Sequence, residues 1–360
     1  MAERYAMRKS RFLGTISFVR RLVLLLTFLL LTLGPASAGE PGVVTISGAG
    51  DIAMGPSGSG AGSFFDRDIR KALQADISLG NLEGTLATGG SSKCGAESTD
   101  CFAFRAPPSY AGALRRAGFT IMNLANNHAF DYGQQGLIET IAALQRSGLR
   151  FTGRPGEIAV LRRGGTRVAF VGFAPYPWAQ SLLDIDGAVD LIRKADRKAD
   201  VVVVTMHAGA EGKDHQRVRP GPETYLGEPR GNVVAFSHAV VRAGADLVVG
   251  HGPHVLRGIE WYRGRVIAYS LGNFLGSGGT LNVSGVSGRS VVLRVSLKRD
   301  GSWVAGRLVP LQLTPGGLPR VDARKAALAT LRTLSRQDFG RHAMRVSPSG
   351  TLLPPAWRTG

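Results

Sequence analysis

Polar side chains that could bind a metal ion follow several short apolar segments of the sequence. Asn127 and His128, with Asp131 three residues after His128, come directly after the apolar segment 119–125. That segment is short, apolar and partly β-branched, which predicts a buried strand that ends at the polar run. Because ligands of open α/β sheets bind at the carboxyl ends of strands, this position favours a functional site.

The same arrangement occurs at three further places in the chain. In each, a carboxylate or an imidazole comes directly after an apolar segment: Asp51 after 43–50, His207 after 200–206, and His251 and His254 after 245–250. Carboxylate, amide and imidazole groups are therefore expected along one edge of one sheet. That combination indicates a metal site.

Each of these residues, taken singly, could instead be a hydrogen-bonded structural residue. A strand-end aspartate such as Asp51 is often a turn or helix-cap residue. Asn81 and Glu83 lie in a glycine-flanked turn and form a weak motif by themselves. His207 follows a run of valines, where an unpaired polar group would be costly. Their common position at one sheet edge favours a shared site over separate structural roles.

The elements that must position these residues alternate between strand-like and helix-like segments. Helix-like segments lie between the strands up to about residue 250, at 64–74, 109–117, 135–146, 184–198 and 232–243. Mainly strand-like runs follow, at 265–271, 290–297 and 303–313. The pattern predicts an α/β sandwich rather than two separate domains. Residues 316–360 are Arg-rich and weakly patterned, which predicts a helical appendage with a partly disordered end.

Residues 1–38 have the three-part build of a secretory signal peptide. Basic residues precede the apolar run 22–33, and the small residues Ala36-Ser37-Ala38 follow as a cleavage site. The run is shorter than the ~20 residues that span a bilayer. The mature chain is therefore expected to begin near Gly39 and to be secreted or to work in the extracytoplasmic cell envelope. An uncleaved membrane anchor is the alternative.

Cys94 and Cys101 are the two cysteines of the chain, and both lie next to or within a polar stretch. They form no CxxC or Cys/His zinc pattern. In an exported protein, a nearby pair in a loop predicts a disulfide. Two free thiols are the alternative.

The net charge of +18 falls to about +13 when the six basic residues and one acidic residue of segment 1–38 are removed. The excess consists largely of arginines scattered along the chain. This fits either a soluble Arg-rich surface or attraction to an anionic polymer such as a cell-wall glycopolymer or polyglutamate. Neither a basic–aromatic motif nor a recognised nucleic-acid-binding module occurs, which argues against nucleic acid as a partner.

Six short motifs follow one another along residues 42–315. They are Gly50-Asp51, Asn81-Leu82-Glu83, Ala125-Asn126-Asn127-His128 with Asp131-Tyr132-Gly133, His207-Ala208-Gly209-Ala210-Glu211, Gly250-His251-Gly252-Pro253-His254-Val255-Leu256 and Tyr269-Ser270-Leu271-Gly272-Asn273-Phe274. In this order they resemble the CapA family of bacterial capsule and poly-γ-glutamate synthesis proteins, which is similar to calcineurin-like metallophosphoesterases. The resemblance implies a four-layer α-β-β-α sandwich of the calcineurin-like metallophosphoesterase fold, with the metal site at the strand ends.

The resemblance also implies a role for each motif residue. The implied or candidate metal ligands are Asp51, Asn81, Glu83, Asn127, His207, His251 and His254. Glu211, Ser270 and Asn273 would complete the site or orient its ligands. His128 would donate a proton to the leaving oxygen, and Asp131 would orient His128. The expected cofactor is a divalent ion (Mn, Zn, Mg or Fe), either one ion or an asymmetric pair.

Three positions depart from the pattern of the wider phosphoesterase superfamily. Ala53 and Gly252 stand where many members have histidine, and Asn81 stands where an aspartate bridges two metals. A neutral amide supplies no negative charge to hold two dications together. One tightly held ion, or an asymmetric pair, therefore fits these residues better than a symmetric two-metal site.

Two classes of function remain open. In the first, the protein is a metal-dependent, phosphoesterase-like hydrolase in capsule, poly-γ-glutamate or cell-envelope polymer metabolism. Its substrate would be an anionic polymer or a phosphorylated small molecule. In the second, the protein is a non-catalytic binding or assembly component of a capsule polymer synthesis or export machinery, with membrane-bound partners. The set His128, His207 and His254 favours the hydrolase, and the missing bridging aspartate favours the second class.

Overall fold

Two β-sheets form the centre of the computed structural model, which describes residues 42–55, 64–95 and 101–356. The predicted signal peptide, residues 1–38, lies outside these residues. The strands are β1 (Val43–Met54), β2 (Ile77–Leu82), β3 (Thr85–Leu86), β4 (Arg105–Ala106), β5 (Ile121–Asn123), β6 (Arg150–Thr152), β7 (Ala159–Arg163), β8 (Thr166–Phe173), β9 (Val201–His207), β10 (Glu223–Tyr225), β11 (Glu228–Gly231), β12 (Leu247–His251), β13 (Leu256–Tyr262), β14 (Arg265–Leu271), β15 (Asn273–Ser277), β16 (Arg289–Lys298), β17 (Trp303–Leu313), β18 (Pro319–Val321), β19 (Arg345–Val346) and β20 (Thr351–Leu353). The helices are α1 (Arg67–Leu73), α2 (Tyr110–Ala117), α3 (Gly133–Arg146), α4 (Ile185–Asp196), α5 (Val233–Arg242) and α6 (Ala326–Phe339).

Both sheets have parallel strands at the site; antiparallel strands form both edges of the smaller sheet and one edge of the larger sheet, whose other edge strand, β6, is parallel to β5. The larger sheet has the order β19-β20-β17-β16-β1-β2-β5-β6, with β15 also paired to β1 and β18 to β17. The smaller sheet has the order β13-β14-β12-β9-β8-β7. The parallel strands read as continuous apolar runs because both of their faces are buried. Val201 to Val204 of β9, for example, are fully buried.

The layers follow from which side chains share each core. Ile46 and Leu79 of the larger sheet pack with Phe170 and Val203 of the smaller sheet, so the two sheets bury one face against each other. Helices α1, α2 and α3 cover the outer face of the larger sheet. Helices α4 and α5 cover the outer face of the smaller sheet. The α-β-β-α order confirms the predicted four-layer fold.

Several helices begin at a side chain that caps their free backbone N–H groups. Asp66 accepts a hydrogen bond from the backbone N–H of Ile69 at the start of α1. Asp184 caps the start of α4 in the same way, by accepting from the backbone N–H of Gly187, and Asn232 caps α5 by accepting from that of Ala235. Such caps typically contribute about 1 kcal/mol each.

The segment 316–356 is not a separate appendage, which corrects the sequence-based boundary at residue 315. It contains the predicted helix, α6, but Leu328 and Leu331 of this helix are buried in the core between the sheets. Strands β18 and β20 both pair with β17 and so extend the larger sheet. The Arg-rich composition hides this role because a few apolar residues at helical spacing are enough to dock one face of a helix.

Two further features of the described residues bear on the sequence predictions. Cys94 and Cys101 form a disulfide with a Cα–Cα distance of 5.5 Å, which agrees with the predicted pairing. No helix within the described ranges is both long and apolar enough to cross a membrane.

Candidate metal centre

The strand register brings the predicted site residues to one edge of the two sheets. In the parallel pair β1–β2, Asp51 lies opposite Asn81, and in the pair β9–β12, His207 lies opposite His251. Parallel strands present their carboxyl ends in the same direction, so residues that end each strand become neighbours. The edges of the two sheets meet here, and Glu83 and His254 follow just after β2 and β12.

Asp51, Glu83 and His254 form the centre of the cluster. One potential ligand atom from each lies within 4.8 Å of the other two. The Nε2 atom of His254 is 3.4 Å from Oε1 of Glu83 and 3.7 Å from Oε2 of Glu211. Ligand atoms bound to one divalent ion at about 2.1 Å are separated by similar distances. The structure therefore brings Glu83, His254 and Glu211 together as an ion would require.

The orientation of His254 is fixed by its backbone and by Asn273. His254 has a φ of 58°, a left-handed conformation that is uncommon for residues other than glycine. The side-chain amide nitrogen of Asn273 donates to the carbonyl of Asn282, so its oxygen faces Nδ1 of His254 at 2.9 Å. Nδ1 is also 3.2 Å from Oδ2 of Asp51, so it must carry the proton, which leaves Nε2 directed at the carboxylates of Glu83 and Glu211. This is the usual arrangement of a metal-binding histidine.

Glu83 is the residue whose environment calls for a cation. It is fully buried, and neither carboxylate oxygen has a hydrogen-bond partner in the described structure. Burial raises the pKa of Glu83 well above its ordinary value, although His254 opposes this. A buried carboxylate without donors is costly unless a charge of opposite sign lies beside it. A divalent cation between Glu83 and His254 would fulfil that need, so the residues fit the predicted ion.

The titration of Asp51 and His254 reflects the same concentration of charge. Burial by itself lowers the pKa of His254, but the charge of Glu83 and the hydrogen bond to Asp51 outweigh it and raise the pKa to about 10. Burial by itself raises the pKa of Asp51, but the hydrogen bond and charge of His254 lower it below its ordinary value. Without a metal, a proton on His254 therefore compensates the surrounding carboxylates.

Asn81 does not present a ligand atom to the cluster, which corrects the prediction that it binds the metal. Its side-chain oxygen accepts hydrogen bonds from the amide nitrogens of Asn123 at 2.9 Å and Asn126 at 3.2 Å. Its nitrogen therefore faces the cluster, 2.8 Å from Oδ1 of Asp51 and 3.2 Å from Nδ1 of His207. An N–H donor in this position repels a cation.

His207 lies in the cluster, but N–H groups face both of its ring nitrogens. Nδ1 faces the amide of Asn81, and Nε2 is 3.4 Å from Nη2 of Arg230. Nε2 is also 3.8 Å from Oε1 of Glu83. Burial, followed by the charge of Arg230, lowers the pKa of His207 well below its ordinary value. The structure thus brings His207 to the cluster and places an N–H donor beside each of its ring nitrogens.

His251 is not brought to the cluster, contrary to its prediction as a ligand. Its Nε2 is 2.9 Å from the carbonyl oxygen of Ala49, and its Nδ1 is 3.2 Å from Oγ1 of Thr205. Both nitrogens are therefore engaged, and the ring connects β12 of the smaller sheet to β1 of the larger sheet.

Ser270, expected to orient a ligand, accepts a hydrogen bond from the backbone N–H of Gly272.

Gly252 cannot be replaced by a larger residue without displacing His207. It has a φ of 108°, and a Cβ added there would lie 3.1 Å from Nε2 of His207. Its backbone N–H donates to Oδ2 of Asp51 at 3.2 Å. The local backbone therefore favours glycine at position 252, where many members of the superfamily have histidine.

His128 and Asp131 form a pair beside the cluster. Nδ1 of His128 is 2.8 Å from Oδ2 of Asp131, and the His128 ring stacks on Phe104 at a centroid distance of 4.2 Å. Oδ1 of Asp131 pairs with Nζ of Lys93 at 2.7 Å. Burial lowers the pKa of His128, although the hydrogen bond to Asp131 opposes this. Asp131 thus fixes the orientation of the ring, as predicted for a positioned proton donor.

Asn127 precedes this pair and keeps one unsatisfied atom. Its side-chain oxygen is buried and has no hydrogen-bond partner in the described structure. Its backbone carbonyl accepts a hydrogen bond from Nζ of Lys93 at 3.2 Å. An unpaired buried amide oxygen is compatible with the predicted role of Asn127 as a ligand.

A cavity of about 760 Å³ opens over the cluster. Its lining includes His128, His254 and Glu211 from the site and Phe104, Lys213 and Tyr225 from the walls. His215, which has no motif context in the sequence, also lies at this cavity. His128 therefore opens onto the same space as His254 and Glu211 of the cluster.

Arg230 is a site residue that sequence reasoning missed. It is only 1% exposed and lies on β11, next to β10 in a two-stranded hairpin. Nη1 of Arg230 is 2.8 Å from Oε1 of Glu211 and 2.8 Å from the hydroxyl of Tyr176. No sequence motif marks it, since an arginine in a short polar hairpin is normally exposed.

Comparison with known proteins places the chain in a family. The family model "Bacterial capsule synthesis protein PGA_cap" matches residues 45–277. The chain is 32% identical to "PGA biosynthesis protein CapA" of Bacillus subtilis over 52% of this chain and 50% of that protein. It is 34% identical to "Capsule biosynthesis protein CapA" of Bacillus anthracis over 57% of this chain and 50% of that protein. The chain thus spans about half the length of these two relatives.

A similarity among solved structures is more distant. The 5'-nucleotidase precursor of Thermus thermophilus superposes with a TM-score of 0.41 at 16% sequence identity, covering 81% of this chain and 58% of that chain. The family match, by contrast, covers more than half of the chain and includes all of the residues in the cluster. The protein belongs to the bacterial capsule synthesis protein family PGA_cap.

Proposed function

We propose that the protein is an exported, metal-dependent hydrolase of the phosphoesterase type that acts in the metabolism of capsule, poly-γ-glutamate or another cell-envelope polymer. The observation that carries the proposal is the buried carboxylate of Glu83, which has no hydrogen-bond partner and lies 3.4 Å from Nε2 of His254. His254 of this pair lines the same cavity as the oriented imidazole of His128.

Glu83, His254 and Asp51 would hold the ion, with Glu211 and the unsatisfied side-chain oxygen of Asn127 as the candidates to complete its shell. One imidazole with several carboxylates suits Zn²⁺, Mn²⁺ or Fe²⁺ better than Mg²⁺, which prefers oxygen ligands and water. When bound, such an ion lowers the pKa of water and polarises a phosphoryl or carbonyl oxygen.

His128 would move the proton of the reaction. Its Nδ1 is tied to Asp131, so Nε2 is the atom that can exchange a proton with a group in the cavity. In its charged form, His128 would donate that proton to the leaving oxygen. Asp131 stabilises the charged form, and Phe104 covers one face of the ring and excludes water. A positioned acid of this kind accelerates bond cleavage by about 10² to 10⁴.

The cavity walls support an anionic substrate. Lys213 provides a positive charge at the wall, next to the negative charge of Asp214, and Phe104 and Tyr225 provide apolar and aromatic surface. A cavity of about 760 Å³ accommodates a small molecule or the end of a chain rather than a long polymer segment. A phosphorylated small molecule or the terminus of an anionic polymer meets both conditions.

A second function, a binding or assembly component with little turnover, is favoured by one observation. The amide of Asn81 faces the cluster where a bridging carboxylate would be needed for a symmetric pair of ions. In that role the protein would bind the anionic polymer and a membrane-bound synthesis partner without hydrolysis.

Hydrolysis measurements with added metal separate the two functions. Purified protein would be treated with chelator, reloaded with Mn²⁺, Zn²⁺ or Mg²⁺, and assayed against phosphomonoesters, phosphodiesters and γ-glutamyl peptides. We expect turnover of at least one class that disappears with chelator and in His254→Ala. The matched control is His251→Gln, since His251 is a buried histidine of the same segment that is turned away from the cluster. Absence of turnover with every metal would favour the assembly component.

A further inference from the structure

The environment of Arg230 differs from that of a substrate-binding arginine. Its guanidinium is 1% exposed and does not line the cavity. Nε donates to the carbonyl of Gly209 at 3.0 Å, Nη1 pairs with Glu211, and Nη2 lies 3.4 Å from Nε2 of His207. The group is therefore fixed inside the cluster, where it can act on neighbouring charges but not on a substrate.

Arg230 and Asn81 occupy opposite sides of His207. Asn81 directs its amide nitrogen at Nδ1 of His207, and Arg230 directs a guanidinium nitrogen at Nε2. A cation that binds His207 would have to displace one of these donors. Glu211 is similarly divided, with Oε1 paired to Arg230 and Oε2 directed at His254. Both nitrogens of His207 and one oxygen of Glu211 are therefore already occupied by protein N–H groups.

The charges of the cluster balance with one ion. Asp51, Glu83 and Glu211 supply three negative charges, and Arg230 supplies one positive charge. One divalent ion, with neutral histidines, would make the cluster neutral. A second divalent ion would leave two uncompensated positive charges in a buried site, which is strongly unfavourable.

We propose that Arg230 takes the place of a second metal ion and, with Asn81, restricts the centre to one divalent cation. The proposal rests on the proposed function insofar as that function includes a metal centre. It goes further by assigning to a protein side chain the second positive charge beside Glu211 and His207.

Metal stoichiometry tests this assignment without reference to activity. The full chain would be dialysed to equilibrium against Mn²⁺, and bound manganese per folded protein would be measured by mass spectrometry of the metal. Native protein should hold one ion. The variant Asn81→Asp/Arg230→Ala has one more carboxylate and one fewer cation, so two divalent ions would balance its charge. It should hold two ions, and its manganese electron paramagnetic resonance spectrum should show the coupling of a close pair.

Two further variants control for folding and for loss of a buried arginine. Arg230→Lys keeps the charge and should retain one ion, whereas Arg230→Ala alone should show a second, weaker binding event by calorimetry. Arg257 is the matched control because it is also 1% exposed but pairs with Glu223 rather than with a carboxylate of the cluster. Arg257→Ala should therefore leave the stoichiometry at one. Circular dichroism shows which variants are folded. If the double variant does not fold, the number of ions bound by Arg230→Ala and Arg230→Lys still tests the proposal.

The outcomes distinguish this proposal from the proposed function. Two ions in native protein, or a single ion in folded Asn81→Asp/Arg230→Ala, would overturn the role of Arg230 and leave a metal-dependent hydrolase possible. No bound ion in native protein would overturn both. One ion in native protein without any hydrolysis would support the role of Arg230 and contradict only the hydrolase.

Discussion

The side-chain nitrogen of Asn81 donates a hydrogen bond of 2.8 Å to Oδ1 of Asp51, across two neighbouring parallel strands. The amide cannot turn its oxygen to the cluster without losing the hydrogen bonds from Asn123 and Asn126, both of which are fully buried. Each buried donor left unpaired would cost about 1–3 kcal/mol. The cluster is therefore asymmetric, with its cation-attracting side at Glu83 and His254.

This asymmetry predicts different effects of two histidine substitutions. His254→Ala should weaken metal binding by more than the about 10- to 100-fold that is typical of losing a residue that only orients a ligand. His207→Ala should weaken metal binding by no more than that range, because donors already face both of its nitrogens. Competition with a chromophoric chelator measures both affinities. A larger loss in His207→Ala than in His254→Ala would contradict the proposed position of the ion.

Removal of the His128 imidazole should separate proton transfer from metal binding. His128→Ala should retain the metal affinity of the native protein, but its turnover should fall by about 10² to 10⁴. The loss should be small for nitrophenyl esters, whose leaving groups need little protonation. Asp131→Asn should show a weaker form of the same pattern, because it removes the acceptor that orients Nδ1. Steady-state kinetics on leaving groups of graded pKa provides the measurement, and equal losses for all of them would exclude His128 as the proton donor.

The disulfide between Cys94 and Cys101 should persist in the mature protein and contribute to stability. The intact mass without reductant should show no alkylatable thiol. Closing a loop of this length reduces the entropy of the unfolded chain by an amount worth about 2.5 kcal/mol. Cys94→Ser/Cys101→Ser should therefore lower the free energy of unfolding by up to that amount in urea titrations. Two alkylated cysteines in the native protein would contradict the pairing.

Asp246 should make the stability of the fold depend on pH. Burial raises the pKa of Asp246 from 3.8 to about 6, opposed by the backbone N–H of Val202 and by Arg265. Between these values the folded state keeps a proton that the unfolded chain has lost, so the contribution of Asp246 to stability falls as the pH rises from about 4 to about 6. The pKa difference corresponds to about 3 kcal/mol.

Asp246→Asn isolates this contribution because its side-chain oxygen can still accept the Val202 hydrogen bond. The free energy of unfolding of the native protein minus that of the variant should decrease by about 3 kcal/mol between pH 4 and pH 6. Above pH 6 the difference should be constant. Urea unfolding at several pH values measures it, and a difference that stays constant or rises between pH 4 and pH 6 would show that the carboxyl is ionised when folded.

The sequence alone determined which strands end in polar groups. Asp51, Glu83, His128 and His254 all follow buried apolar runs, and parallel strands place such ends at one edge of the sheets. The alternation of strand-like and helix-like segments likewise predicted the layers, because the periodicity of apolar residues is local information. The pair His128 and Asp131 was also predictable, since three residues at the start of a turn remain close in any compact arrangement.

Only the tertiary structure decided how these groups are oriented and what surrounds them. His251 turns to the carbonyl of Ala49, 202 residues away in the chain, and Asn81 is oriented by Asn126, 45 residues away. Arg230 enters the cluster because a hairpin folds over it, although the same residue on an open hairpin would be exposed. Hydrogen bonds between distant segments fix the direction of a side chain, and neither composition nor spacing contains that information. The local sequence therefore determines which residues lie at the centre of the cluster, whereas the charge balance of the cluster depends on the complete fold.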